Sequence, residues 1–476
     1  MADAPVCPLW AVPPPSPLTR PPLRGTSPRM RHDRRDPDDR RPLVERLFSE
    51  WLGRNELPSP LDSFLSRNVR PQLVAEPWQR KKLTDLLFAT QQFGYLALFC
   101  DDLLDDRARR ESFDAGNPVS LEKTLARFAA LYPDATRIYD AWRLMTTTRF
   151  FHWVGLLSGL MPGPEGMKER AAKVQAGLAA HGGRRAKMLL AGVPLFYEAA
   201  LGAREALGFD VTAFLSRQNQ RPPLWIRTPA AERETVKAIL EKSHVKVRKS
   251  EVCDTALELE TVKSLYGSSL FHEGAFEVQD LASQLAGATI SVRPGAFVWD
   301  ACAGSGGKTL QLATALNGRG VVYASDNLPY KLDALRKRAR RAEHANIRTL
   351  DWHGDSAPEF PHEVKQHGGF DAVLVDAPCT SSGTWRRNPD ARFRHTPKGL
   401  ASTIETQTRL LAAAAASVRV GGQLVYVTCS FLVDENEAIA EAFAAAHPEF
   451  ESLGQRMLGC PEVNGDTFFA ASFRRR

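Results

Sequence analysis

Leu43, Val44, Leu47, Phe48 and Trp51 recur at helical spacing, and the same period returns at Leu86, Leu87 and through 93–99. It predicts an all-helical domain over residues 43–205, with breaks at Pro58-Ser59-Pro60, Asn117-Pro118 and Met161-Pro162-Gly163-Pro164. Its aromatic residues read as core, because stripes at this spacing bury area. The period then shortens. Leu224-Trp225-Ile226-Arg227 and 244–247 have strand character around a helical 231–242, which predicts a small α+β module over 206–273. Its cations, such as Arg217, Arg221, Arg227, Lys246, Arg248 and Lys249, suit either an RNA-facing sheet or a solvated surface. Over 274–476 apolar strands alternate with helical segments. Five of them, at 297–300, 321–326, 347–352, 370–376 and 423–429, read as parallel strands of a doubly wound α/β sheet. Ligands of such sheets lie beyond the strand C-termini.

Composition narrows the class. The chain is 43% hydrophobic, which is ordinary for a globular protein, and 62 Lys+Arg against 55 Asp+Glu permits a polyanionic partner without requiring one. Seven scattered cysteines with no C-x-x-C pair indicate neither a disulfide framework nor a metal site, and they fit a reducing cytoplasm. No apolar stretch of about 18 residues appears, which argues against a membrane span. Residues 1–42 hold eleven prolines and eight arginines and read as a disordered tail, or as an over-long start with Met30 a candidate first residue.

The first parallel strand runs into Ala301-Cys302-Ala303-Gly304-Ser305-Gly306-Gly307-Lys308-Thr309, a glycine-rich turn opening a helix. Small residues let a ligand approach the backbone, and a helix start offers free N–H groups. Gly307-Lys308-Thr309 ends like a phosphate loop, but Cys302 stands where that motif needs its first glycine. Asp326 falls where an acidic residue holds a ribose diol. Taken singly, an aspartate at a strand end is a turn or helix cap. Asp300, Asp326, Asp355 and Asp376 together suit a cationic, adenine-bearing cofactor, and S-adenosylmethionine fits.

Two thiols stand at the same sheet edge: Cys379 in Asp376-Ala377-Pro378-Cys379, and Cys429 in Val427-Thr428-Cys429-Ser430. A lone strand-end cysteine is more often a small buried hydrophobe than a nucleophile. These two, with the glycine-rich turn, Val278-Gln279-Asp280, Gly383-Thr384-Trp385-Arg386-Arg387-Asn388-Pro389-Asp390 and Glu435-Asn436-Glu437, resemble the Nop/Sun or RsmB-like RNA cytosine-5 methyltransferases over roughly the last 200 residues. The resemblance implies that Cys429 is the nucleophile and that Cys379 assists product release. It also implies that Cys302, Ala303, Gly304, Ser305, Gly306, Gly307, Lys308, Asp326, Asp355 and Asp376 bind the cofactor. Lys308 is the candidate for a field favouring thiolate. Three positions depart from the family pattern: Gly304-Ser305 replaces Ala-Pro, Ser381 stands where glycine is common, and Thr467 replaces another glycine.

Trp385, Arg386, Arg387, Arg392 and Arg394 interleave rings and cations after Cys379, which reads as an RNA-contacting loop, the alternative being that the rings pack it down. The expectation is therefore a monomeric, cytoplasmic enzyme without metal or membrane, acting on structured RNA, ribosomal by resemblance. A transfer-RNA methylase and a ribosome-assembly scaffold that binds cofactor with little turnover are the alternatives.

Overall fold

The computed structural model describes residues 42–476 apart from 54–56, 71–73, 75, 106–116, 146, 261–264, 355, 357–358 and 395. The tail expected over 1–42, save Pro42, lies outside the described residues, and so does Asp355.

The N-terminal pattern forms helices at Leu43–Leu52, Leu61–Asn68, Pro77–Asp105, Pro118–Leu131, Ala135–Leu144, Thr147–Ser158, Glu165–His181, Arg184–Leu190, Glu198–Ala206 and Val211–Ser216. Local chemistry starts several of them. Asn117 accepts from the amides of Val119 and Ser120, Asp134 from Arg137, and Asp210 from Ala213, each cap contributing about 1 kcal/mol. The helices run past residue 205 because Asp210 restarts one. Phe48, Trp51, Tyr139, Trp142 and Phe150 face inward as one aromatic cluster, with Leu47 in the same core. That core also takes in Trp385, Phe393 and Phe431 from the C-terminal domain, so the two regions share buried area.

The small module is a four-stranded antiparallel sheet of β1 (Leu224–Arg227), β2 (Val247–Lys249), β3 (Ala256–Leu259) and β4 (Glu277–Val278), in the order β2-β3-β1-β4. The helix Arg233–Lys242 closes it with Val236 and Leu240 over Ile226, Leu257 and Leu259. Its fourth strand lies beyond residue 273, where the sequence pattern had placed the boundary. A two-residue strand carries no readable period.

The large sheet has the order β10-β11-β9-β8-β5-β6-β7, with β5 at Phe297–Asp300, β6 at Val321–Asp326, β7 at Ile347–Asp351, β8 at Phe370–Asp376, β9 at Val418–Thr428, β10 at Phe450–Gly459 and β11 at Thr467–Arg475. The five expected strands are present and parallel. This is the doubly wound, Rossmann-like arrangement. β11 and β10 extend it antiparallel to β9. The chain runs outward from β5 through β6 and β7, then returns to the other side of β5 at β8. The order thus reverses between β5 and β8, and a crevice opens at their C-terminal ends.

Candidate functional site

The turn after β5 is shaped by two glycines at positive φ, Gly304 (+55°) and Gly306 (+93°). A Cβ on Gly306 would meet Leu335 at 2.7 Å, whereas Gly304 has open space on that side. Ala303 N–H donates to the Ser325 carbonyl at 2.8 Å and Gly304 N–H to Asp326 Oδ2 at 3.0 Å. Asp326 Oδ1 accepts from Leu328 N–H at 2.9 Å, so its carboxylate is held in one orientation. Gly307–Ala315 then begins as a helix.

The carboxylates divide in two. Asp300 is buried under the turn, where Thr309 Oγ1 donates to it at 2.6 Å, and burial pushes its carboxyl up to about 7. Asp326 and Asp376 line a cleft of about 440 Å³ together with Cys302, Gly304, Cys379, Ser381 and Cys429. Lys308 Nζ donates to Asp376 Oδ2 at 2.7 Å and to Ser283 Oγ at 3.1 Å, and it sits over the Phe468 ring. Its charge is therefore matched by Asp376, not left free to act on a thiol. Cys302 is raised well above the ordinary thiol range, first by burial and then by Asp300, which leaves it inert.

β8 and β9 deliver the two thiols. Asp376 ends β8 and Thr428 ends β9, and Ala377 N–H donates to the Val427 carbonyl at 2.9 Å, which keeps the emerging loops side by side. Gly383 N–H donates to the Cys429 carbonyl at 2.9 Å, and a Cβ there would lie 1.9 Å from the Thr467 carbonyl, so only glycine fits. The result is a Cys379 Sγ to Cys429 Sγ distance of 3.3 Å. The bond to Cys429, then burial, raises Cys379 well above the usual thiol range. The raised thiol keeps its proton, which makes Cys379 the poorer nucleophile of the two.

Ser381 explains one departure from the family pattern. Its backbone is left-handed, φ +55°, which is why glycine suits the position, and its hydroxyl lies 3.6 Å from Cys429 Sγ. Thr467 is accommodated too, since its hydroxyl donates to the Cys460 carbonyl at 2.9 Å.

Sequence reasoning assigned no role to the residues that brace these loops. Buried Glu435 accepts from Thr380 N–H at 2.8 Å, from the Thr380 hydroxyl and from Gln407 at 3.1 Å, tying the Cys379 loop to the segment after Cys429. Asn436 Nδ2 donates to the Ser430 carbonyl at 2.9 Å. Arg204, from the helical domain, donates to the Phe431 carbonyl at 2.7 Å and forks onto Glu437. The Glu-Asn-Glu run is a signal that could have pointed to them.

The reading of 385–394 as an RNA-contacting loop is corrected. Trp385 is fully buried against Tyr197, Phe214 and Phe431. Arg386 is buried and donates to the Gln220 and Gly465 carbonyls and to Asn464. Arg392 is fully buried and donates to the carbonyls of Ala191, Gly192 and Gln218. Arg387 pairs with Asp280 and Asp466, and Arg394 with Asp390. The rings and cations hold the loop after Cys379 against the helical domain. The alternative that the rings pack the loop down is what the structure has.

Among the described residues no helix is long and apolar enough to cross a membrane, and no group of three or more His, Cys, Asp or Glu is placed to hold a metal ion.

Residues 288–473 match the family model described as 16S rRNA methyltransferase RsmB/F. The chain is similar to a probable ribosomal RNA small subunit methyltransferase B of Synechocystis sp., 36% identical over 38% of this chain and 40% of that one. It is also similar to the probable enzyme of that name from Bacillus subtilis, 30% identical over 53% of this chain and 57% of that one, and to the Vibrio cholerae protein, 29% identical over 61% and 63%. The matches thus span 40–63% of these relatives' length. In fold the chain resembles the crystal structure of PH0851, with a TM-score of 0.63 and 24% identity over 91% of this chain and 98% of that one. It also resembles NSun6 from Pyrococcus horikoshii with SFG, with a TM-score of 0.50 and 17% identity over 59% and 96%. The region that carries the paired thiols is thus the part of the chain that matches the RsmB/F methyltransferase model.

Proposed function

We propose that the protein transfers a methyl group from S-adenosylmethionine to carbon 5 of a cytosine in RNA, with ribosomal RNA as the substrate class. The observation that carries this reading is the pair of thiols 3.3 Å apart in a cleft that also presents Asp326 and Asp376. One thiol makes a nucleophile; two in contact suit a reaction that must form a bond to sulfur and later break it. The names of the matched relatives support ribosomal RNA.

The cleft fits the cofactor. Gly304 presents bare backbone, Asp326 has lone pairs left for a ribose diol, and two carboxylates favour a sulfonium charge. S-adenosylmethionine supplies the methyl group. Cys429 thiolate adds to carbon 6 of cytosine, which makes carbon 5 enamine-like and able to take that methyl. Asp376, oriented by Lys308, faces the same cleft and hydrogen-bonds the activated base. Cys379, once it has passed its own proton to water, takes the proton from carbon 5 as a thiolate, directly or through water. The carbon–sulfur electron pair then restores the ring double bond and frees Cys429.

Bisulfite sequencing of ribosomal RNA from a deletion strain tests the reading. One or more cytosines lose methylation, wild type restores them, and Cys429→Ala does not. An unchanged methylation pattern after deletion would overturn it.

Ser381→Gly separates the hydroxyl from the backbone. Relief of left-handed strain, about 1–2 kcal/mol, is offset by about 0.5–1 kcal/mol of added unfolded freedom, so stability rises by about 1.5 kcal/mol at most. Single-turnover methylation slows about threefold to tenfold, the order of one weak hydrogen bond to a charged sulfur. Equal rates would remove the hydroxyl from the mechanism.

A further inference from the structure

A second cavity, of about 290 Å³, lies where the small module meets the catalytic domain; Arg227, Glu232, Glu273, Glu277, Glu343 and His344 are among the residues that line it. Its volume is at the low end for ligand pockets, about 300 Å³. Arg227 closes β1 and is only 5% exposed. Its Nε donates to Gln279 at 2.8 Å, and among the described residues its two terminal nitrogens have no hydrogen-bond partner. Arg204, Arg386 and Arg392 differ, with three hydrogen bonds each, whereas buried Arg233 makes one and also pairs with Asp254.

Burial lowers the Arg227 pKa to about 10, while its two terminal nitrogens are not sealed among protein atoms and Arg227 lines the cavity. A group that completes the fork would replace water there with fixed acceptors. The neighbours define what it must be. Glu277 is already held by Arg338 and Arg341, and His344 shares a hydrogen bond with Thr314 while burial lowers its pKa. Glu232, Glu273 and Glu343 are exposed carboxylates at the rim. A phosphate would suit Arg227 but meet three negative charges. The ligand has to offer acceptors to the arginine and donors to the carboxylates.

Guanine does both. Its O6 and N7 take an arginine fork, and its N1–H and N2 amino group donate to carboxylates. Adenine puts an amino donor where the arginine needs an acceptor. We propose that this cavity holds an unpaired guanine base of the RNA substrate. The proposal rests on the RNA reading above. Its position suits such a role: Arg227 bonds Gln279, Gln279 and Lys308 both donate to Ser283, and Lys308 pairs with Asp376 in the cleft. One polar chain joins the cavity to the reacting centre.

The test uses the full chain with S-adenosylhomocysteine saturating the cofactor cleft, and measures binding of guanosine and adenosine by ligand-observed NMR. Guanosine binds at least tenfold tighter than adenosine. Glu232→Gln and Glu343→Gln, both at exposed positions that leave the fold intact, each weaken guanosine about threefold or more, and Arg227→Met abolishes binding if it folds. Equal binding of the two nucleosides, no binding of guanosine, or unchanged affinity in both glutamate variants overturns the proposal. No methyl transfer is read, so failure here is distinct from failure of the cytosine-5 reading.

Discussion

Cys379→Ala will leave the protein joined to its RNA, and Cys429→Ala will not form the joint at all. The argument starts from the 3.3 Å contact between the two sulfurs. Before reaction, the hydrogen bond to Cys429 holds the proton on Cys379 and raises its pKa. Once Cys429 is bonded to carbon 6, that sulfur is neutral and the main cause of the shift is gone. With that cause removed Cys379 can pass its own proton to water, and the thiolate left behind takes the carbon-5 proton. Its alanine variant keeps the attacking thiolate and the methyl transfer but lacks the base. Loss of a positioned base costs about 10²–10⁴-fold in rate, so the adduct outlives a denaturing gel. Wild type releases within its turnover. The measurement is the fraction of labelled RNA that migrates with protein, and an adduct in Cys429→Ala but not in Cys379→Ala would reverse the assignment.

The placement of the two thiols was legible in the sequence because it depends on residues at strand ends. Val427-Thr428-Cys429 and Asp376-Ala377-Pro378-Cys379 follow apolar strand runs, and a parallel sheet puts both ends at one edge. The Gly304–Gly306 turn was legible for the same reason: its conformation is local. What could not be read was the environment of the loop after Cys379. Trp385, Arg386 and Arg392 look like an RNA-binding interleave in one dimension, yet their partners are Tyr197, Gln220, Ala191 and Gln218, far upstream in sequence. Nothing in the spacing of 385–394 encodes that a carbonyl from another domain stands opposite each guanidinium. Lys308 failed likewise: its neutralising partner Asp376 is 68 positions away. β10 escaped because it is an edge strand whose middle residues are exposed, so no apolar alternation marks it.

Arg392→Met will destabilise the whole chain by about 3 kcal/mol, more than a surface change of the same type by several-fold. Two effects oppose each other. Removing a buried cation, whose pKa burial lowers to about 9, relieves a desolvation cost, and methionine fills most of the volume. Against this, the carbonyls of Ala191, Gly192 and Gln218 lose donors at 3.0, 3.2 and 2.7 Å in a site with no water access, at about 1–3 kcal/mol each. Three orphaned acceptors outweigh one relieved charge, because the fork was satisfied on both terminal nitrogens. Arg392→Lys recovers little, since a single ammonium cannot span carbonyls contributed by two separate segments. The consequence reaches catalysis. Trp385 and Phe393 sit in the same core, and the loop carrying them continues directly from Cys379. Loosening it lowers methyl transfer even at temperatures where the protein stays folded. Thermal unfolding with both variants, and proteolysis near residues 191–218, read the two parts separately. A midpoint within a degree of wild type for Arg392→Met would show that the buried cation costs as much as its three bonds return, and that apolar packing alone joins the helical domain to the catalytic loop.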